Sequence, residues 1–108
     1  MSEIQGSGPL SPQQLAANKN ELIRGSQLFK KAMQEYSTTK EIHKKSQLQK
    51  VMNESLHAIN QIINNVLQEE GKKIKDKTKD DYQSFASNPS SDNMNNLNND
   101  IDNINIAI

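Results

Sequence analysis

The run LQKVMNESLHAINQIINNVL, residues 48–67, decides how this chain folds. Its large aliphatic side chains stand at Leu48, Val51, Met52, Leu56, Ile59, Ile62, Ile63, Val66 and Leu67, the three- and four-residue spacing of one face of an α-helix. Met52, Leu56, Ile59, Ile63 and Val66 alternate steps of four and three, as a packed seam between helices does. The flanking Leu48, Val51, Ile62 and Leu67 make the stripe wider than a two-stranded coiled coil requires, which suits a bundle of three or four helices. The helix carrying it is predicted over residues 39–70, about 48 Å at 1.5 Å per residue. A weak extension to Ser87 is expected, because residues 72–87 offer only Ile74, Tyr82 and Phe85 as large apolar groups. Gly71 is expected just past the C-terminus of the strong part, with Lys72 and Lys73 complementing the negative helix end, or else inside a longer helix.

Upstream, Ser11, Pro12 and Gln14 spell a helix start: an N-cap, a proline at the first helical position and a capping-box partner, with Leu10 and Leu15 as the hydrophobic staple. Leu15, Leu22, Phe29 and Tyr36 then recur every seventh residue, widened by Ile23, Ala32 and Met33, which predicts a helix over residues 12–36 with one packed face. Gly25 interrupts it; a tolerated glycine is the simpler reading, and a bend or a close helix approach there is the alternative. Ser37, Thr38 and Thr39 form the break, with Thr38 and Glu41 as a second capping-box pattern. So short a break favours an antiparallel hairpin of the two main helices over one continuous rod.

Downstream, Asn88 before Pro89 ends whatever precedes it. Ser90, Ser91 and Asp92 are N-cap candidates, and Met94, Leu97, Ile101, Ile104 and Ile108 follow at steps of three and four. Asparagine and aspartate fill the positions between, and both are poor helix formers, so a helix over residues 92–108 should need a partner on its seam. The expected organisation is a disordered leader over residues 1–10, a helical hairpin or coiled-coil domain over 11–87, and an Asn-rich amphipathic segment over 88–108. The fold class is all-α, with a short third helix at the C-terminus.

Composition narrows the functions available. With 32% hydrophobic and 4% aromatic residues in 108, the apolar supply suits a seam between helices more than a broad sandwich or sheet core. There is no cysteine, hence no disulfide, thiolate zinc site or thiol nucleophile. No apolar run approaches the roughly 18 residues of a membrane span and none marks a secretory signal, so a cytoplasmic protein, or one exported by a route that needs no such signal, is expected. Net charge is zero, yet residues 1–79 carry 13 positive and 8 negative side chains while residues 80–108 carry only five aspartates. The two ends can attract one another, or a neighbouring copy, weakly and with salt screening.

No catalytic, cofactor-binding or metal-ligating residue is assigned. His43 and His57 are fourteen residues apart, about 21 Å along one helix, too far to share an ion. Asp76, Asp80 and Asp81, like Asp92, Asp100 and Asp102, lack the alternating ligands and central glycine of a calcium loop and read as solvated faces. There is no phosphate-cradling glycine loop and no zinc or nucleophile motif, which speaks against an enzyme and a small-molecule substrate. Lys72, Lys73, Lys75, Lys77 and Lys79 form a candidate anion-binding run for an acidic membrane or nucleic acid. Asp76 interrupts it and no aromatic side chain interleaves it to stack bases, so a solvated face is the simpler reading.

The Asn88-Pro89-Ser90 break before a final amphipathic segment resembles, over about the last quarter of the chain, the helical-hairpin needle subunits of bacterial type III secretion systems. Those subunits are shorter and more evenly divided, and residues 103–108 do not match their C-terminal end. The resemblance implies a small helical secretion-apparatus subunit and assigns no residue a role. A looser likeness is to short coiled-coil subunits of cytosolic complexes. The leading expectation is a non-enzymatic helical subunit that assembles with helical partners or with itself. Its packing interface comprises Leu22, Phe29, Met33, Leu48, Met52, Leu56, Ile59, Ile63, Val66, Leu97, Ile101 and Ile104, since a seam this long, if exposed, should oligomerise.

Overall fold

Ser11 caps the first helix as its sequence predicts. Its hydroxyl accepts from the Gln14 backbone N–H at 3.1 Å while the Gln14 side chain accepts from the Ser11 N–H at 2.9 Å, so two of the orphan donors of the first turn are satisfied reciprocally. The computed structural model describes residues 10–108. The leader expected over residues 1–10 lies outside that range except for Leu10. The described chain is all-α: α1 (Pro12–Thr38), α2 (Ile42–Val66), a 3₁₀ turn (Gln68–Gly71), α3 (Lys72–Ser87) and α4 (Ser91–Ala107).

The first break falls where the threonines stand, with Thr39 extended, but the second capping box does not form: Glu41 is the N-cap of α2 and makes no side-chain cap bond. The last break follows its sequence more closely. Asn88 is extended ahead of Pro89, and the Ser90 hydroxyl accepts from the Asn93 N–H. The middle break departs from expectation. Residues 72–87 are a separate helix rather than an extension, and the left-handed position after α2 belongs to Gln68 (φ 53°), while Gly71 is right-handed. Lys72 and Lys73 therefore stand at the positive end of α3, the opposite of the complementary placement expected for them.

Cross-helix contacts fix the directions. Lys45 lies over the Tyr36 ring, Gly25 faces Ser55 and Ile59, and Ala17 and Asn18 share a hollow with Gln61 and Asn65, so α2 runs back along α1. Lys75 meets Asn64 and Tyr82 donates to Asn53 at 2.5 Å, which turns α3 back along α2. α4 returns along α3 through Asp100 and Lys77, and lies against α1 through Lys30–Asp102 at 2.6 Å and Asn105–Ser26 at 3.0 Å. The result is four helices running alternately up and down, 52 × 22 × 17 Å overall.

One core threads all four. Leu22, Phe29, Ala32 and Met33 of α1, Met52, Leu56, Ile59, Ile62 and Ile63 of α2, Phe85 of α3 and Leu97, Ile101 and Ile104 of α4 are buried together. Every aromatic ring of the chain takes part: Phe29 pairs with Tyr82 at 5.9 Å and Tyr36 with Phe85 at 5.7 Å, both tilted. Such pairs contribute about 0.5–1.5 kcal/mol each beyond their buried area. Gly25 serves as the close approach: a Cβ there would stand 3.3 Å from Ile59 Cγ1.

Candidate interaction surface

The residues expected to form a packing interface lie in the chain's own core. Leu22, Phe29, Met33, Met52, Leu56, Ile59, Ile63, Leu97, Ile101 and Ile104 are buried, and Leu48 and Val66 pack half-buried against them. While the four helices are closed, none of the buried ten can meet another molecule.

What stays open is the far side of the α1–α2 pair, opposite α3 and α4. Two adjoining hollows of about 460 and 200 Å³ run along it and share Glu21 and Ala58. Gly25, Ser55 and Ala58 form a floor of small side chains, Leu28 and Val51 stand on the rims 50% and 36% exposed, and Glu21, Arg24 and Glu54 supply both signs of charge. From Ala17 to Leu28 the trough is about 16 Å long at 1.5 Å per residue, three helical turns. Its shape follows from sequence. Ala17, Glu21, Arg24 and Leu28 recur at steps of four, three and four on α1, one stripe round from the seven-residue repeat, and the small residues of α2 face them.

The lysine run does not form a single patch. At roughly 100° per residue, Lys72, Lys75 and Lys79 fall on one flank of α3, Lys73 and Lys77 on the other, with Asp76 and Asp80 between them. Lys75 bonds Asn64 on the α2 side, and Lys77 reaches Asp81 at 2.8 Å and Asp100 at 3.3 Å on the α4 side. Both side chains hold helices together.

Around Lys77 lies the densest charge chemistry of the described chain. Asp100 is 3% exposed, which corrects its reading as part of a solvated face; Asp81 is half-buried, whereas Asp76, Asp80, Asp92 and Asp102 are exposed. Asp100 Oδ1 faces Lys77, but its Oδ2 is buried with no donor toward it among the described residues. A protonated Asp100 carboxyl donates to Asp81. Burial first, and this bond second, push the Asp100 carboxyl up to about 6. The same bond holds Asp81 below its ordinary value, aided by Lys77, whose ammonium is held above its own by the two carboxylates. The trio is a proton-sharing clasp between α3 and α4.

His43 and His57 are exposed, and His57 shares a bond with Gln61 on its own helix. Among the described residues no group of three or more histidine, cysteine, aspartate or glutamate side chains is placed to hold a metal ion, and no helix is long and apolar enough to cross a membrane. Sequence reasoning assigned Val51 to the edge of the seam and passed over Leu28, Gly25 and Ala58 as a set. Their signal was the second stripe on α1, one step off the heptad. No family model, curated protein or solved structure matches this chain.

Proposed function

We propose that this chain is a non-enzymatic helical assembly subunit, an antiparallel α1–α2 hairpin buttressed by α3 and α4, whose open trough packs against a helix of a second copy. The observation that carries the reading is the pairing, on one face, of exposed Leu28 and Val51 with a hollow over Gly25, Ser55 and Ala58. Ridge and hollow on the same surface suit a two-fold contact, in which each copy presents what the other receives. The charges support the same partner: Glu21, Arg24 and Glu54 line the trough together, and a surface of mixed sign complements itself, whereas a surface of one sign needs a foreign partner.

The test replaces both rim residues. Leu28→Asp with Val51→Asp should leave the helical circular dichroism unchanged, because neither side chain is in the core, and weaken self-association at this face by about tenfold or more, the effect of burying even one unpaired charge. Undiminished association in the double variant contradicts the assignment of this face.

A further inference from the structure

We propose that two copies of this chain also associate by exchanging their α3–α4 pairs, the link between α2 and α3 straightening so that residues 42–87 form one helix. This deepens the assembly reading, on which it rests, and supplies a second contact independent of the open trough.

The inference comes from comparing the three breaks. The first is written into the sequence by adjacent threonines, and the last by Asn88-Pro89 with a serine cap. The middle break carries only Gly71 as a signal. Leu67, Gln68, Glu69, Glu70, Lys72 and Lys73 are good helix formers, and Gly71 is the exception. No side chain caps the start of α3. Leu67, Gly71 and Lys72 already have right-handed helical backbones, and the single non-glycine residue with positive φ among the described residues is Gln68. Returning that one residue to negative φ makes α2 and α3 continuous. Continuity also moves Lys72 and Lys73 away from a positive helix end and sets Glu69 four residues before Lys73, the favourable order for such a pair.

Docking of α3–α4 favours the bend, and a second copy offers the same docking. The acceptor side chains on α1 and α2, Ser26, Phe29, Lys30, Asn53 and Asn64, already match Asn105, Tyr82, Asp102 and Lys75. Exchange parts and re-forms the shared apolar core together with the polar Asn53–Tyr82 and Asn64–Lys75 contacts between α2 and α3; Asn60 Oδ1 of α2 is buried without a donor among the described residues. Asn53–Tyr82 and Asn64–Lys75 lie symmetrically about residues 68–69, so the exchanged contacts close with two-fold symmetry. Exchange makes intermolecular the core seam that a closed chain keeps to itself.

Two substitutions pull in opposite directions. A Cβ at Gly71 would overlap Ile63 Cγ2 in the bent form yet suits a continuous helix, so Gly71→Ala should tighten dimerisation about tenfold or more. Gln68→Gly relieves the left-handed backbone and penalises continuity, and should weaken it by a similar factor. The chain has no cysteine, so Gln49→Cys with Ser87→Cys, spin-labelled and diluted into unlabelled chain, reads the distance within one chain. The expected distance is about 57 Å in the dimer at 1.5 Å per residue, against roughly one helix spacing, about 10 Å between axes, in the monomer. If Gly71→Ala does not fold, Gln68→Gly and the labelled pair decide alone. Dimers showing only the short distance, or tightened by Gln68→Gly, overturn exchange and leave the assembly reading standing; the mass of a single chain at every concentration overturns both.

Discussion

Asp100 brings a carboxyl group into the α3–α4 contact, and its protonation state sets how that contact responds to pH. Its value in the folded chain is raised to about 6, above the roughly 3.9 of an unfolded aspartate, so between those values the folded state holds more proton than the unfolded one. The stabilisation is full below the unfolded value and is lost as pH rises through about 6. Asp81, shifted downward, acts in the opposite sense and matters at more acid pH. Asp100→Asn keeps the shape, donates permanently to Asp81 and still accepts from Lys77. Thermal unfolding should then be flatter between pH 4.5 and 7, with a gain of about 1–3 kcal/mol at pH 7.5, the upper figure being two pKa units at 1.36 kcal/mol each. An unchanged pH profile would show that Asp100 does not hold the proton. Little of this clasp could be read from sequence: nothing in the spacing of Asp81 and Asp100 tells that one is 3% exposed, because their meeting depends on the fold of α3 against α4.

At the scale of elements, the sequence is legible wherever a local signal and the tertiary need agree. Ser11-Pro12-Gln14 sets the start of α1, and Asn88-Pro89-Ser90 separates α3 from α4. It is silent where packing overrides propensity. Residues 67–73 carry Gly71 as their one break signal, yet the left-handed backbone falls at Gln68, and the chain reverses because Tyr82 and Phe85 gain Phe29 and Tyr36 by turning back. The left-handed backbone at Gln68 costs about 1–2 kcal/mol, less than burying Phe85 returns. α4 shows the converse dependence. Its asparagine-rich filler is unfavourable to helix and its capping serine supplies only about 1 kcal/mol, so the peptide 88–108 should be largely non-helical alone by circular dichroism. Strong helicity in the isolated peptide would mean that local sequence, and not docking on α1 and α3, holds α4.

For the whole molecule, the apolar stripe on which the sequence reading rests does its first service inside one chain. Much of the periodic set, including Leu22, Phe29, Met33, Met52 and Ile104, is buried, while Leu48 and Val66 are only half-buried and Phe85 lay outside it; periodicity is also blind to whether the facing helix belongs to the same chain. That question turned on α3, whose few apolar residues concealed that two of them are aromatic and meet two aromatics on α1. With the main seam closed, the proposed assembly would use the trough at Leu28 and Val51 and exchange at the α2–α3 link. Sedimentation equilibrium of the intact chain over a concentration series, read beside circular dichroism, tests this most directly. The average mass should rise from the 12.2 kDa of one chain toward at least twice that value while helicity changes little, since each helix is already packed before association and exchange adds only the few residues of the α2–α3 link. A mass fixed at one chain throughout would contradict the account.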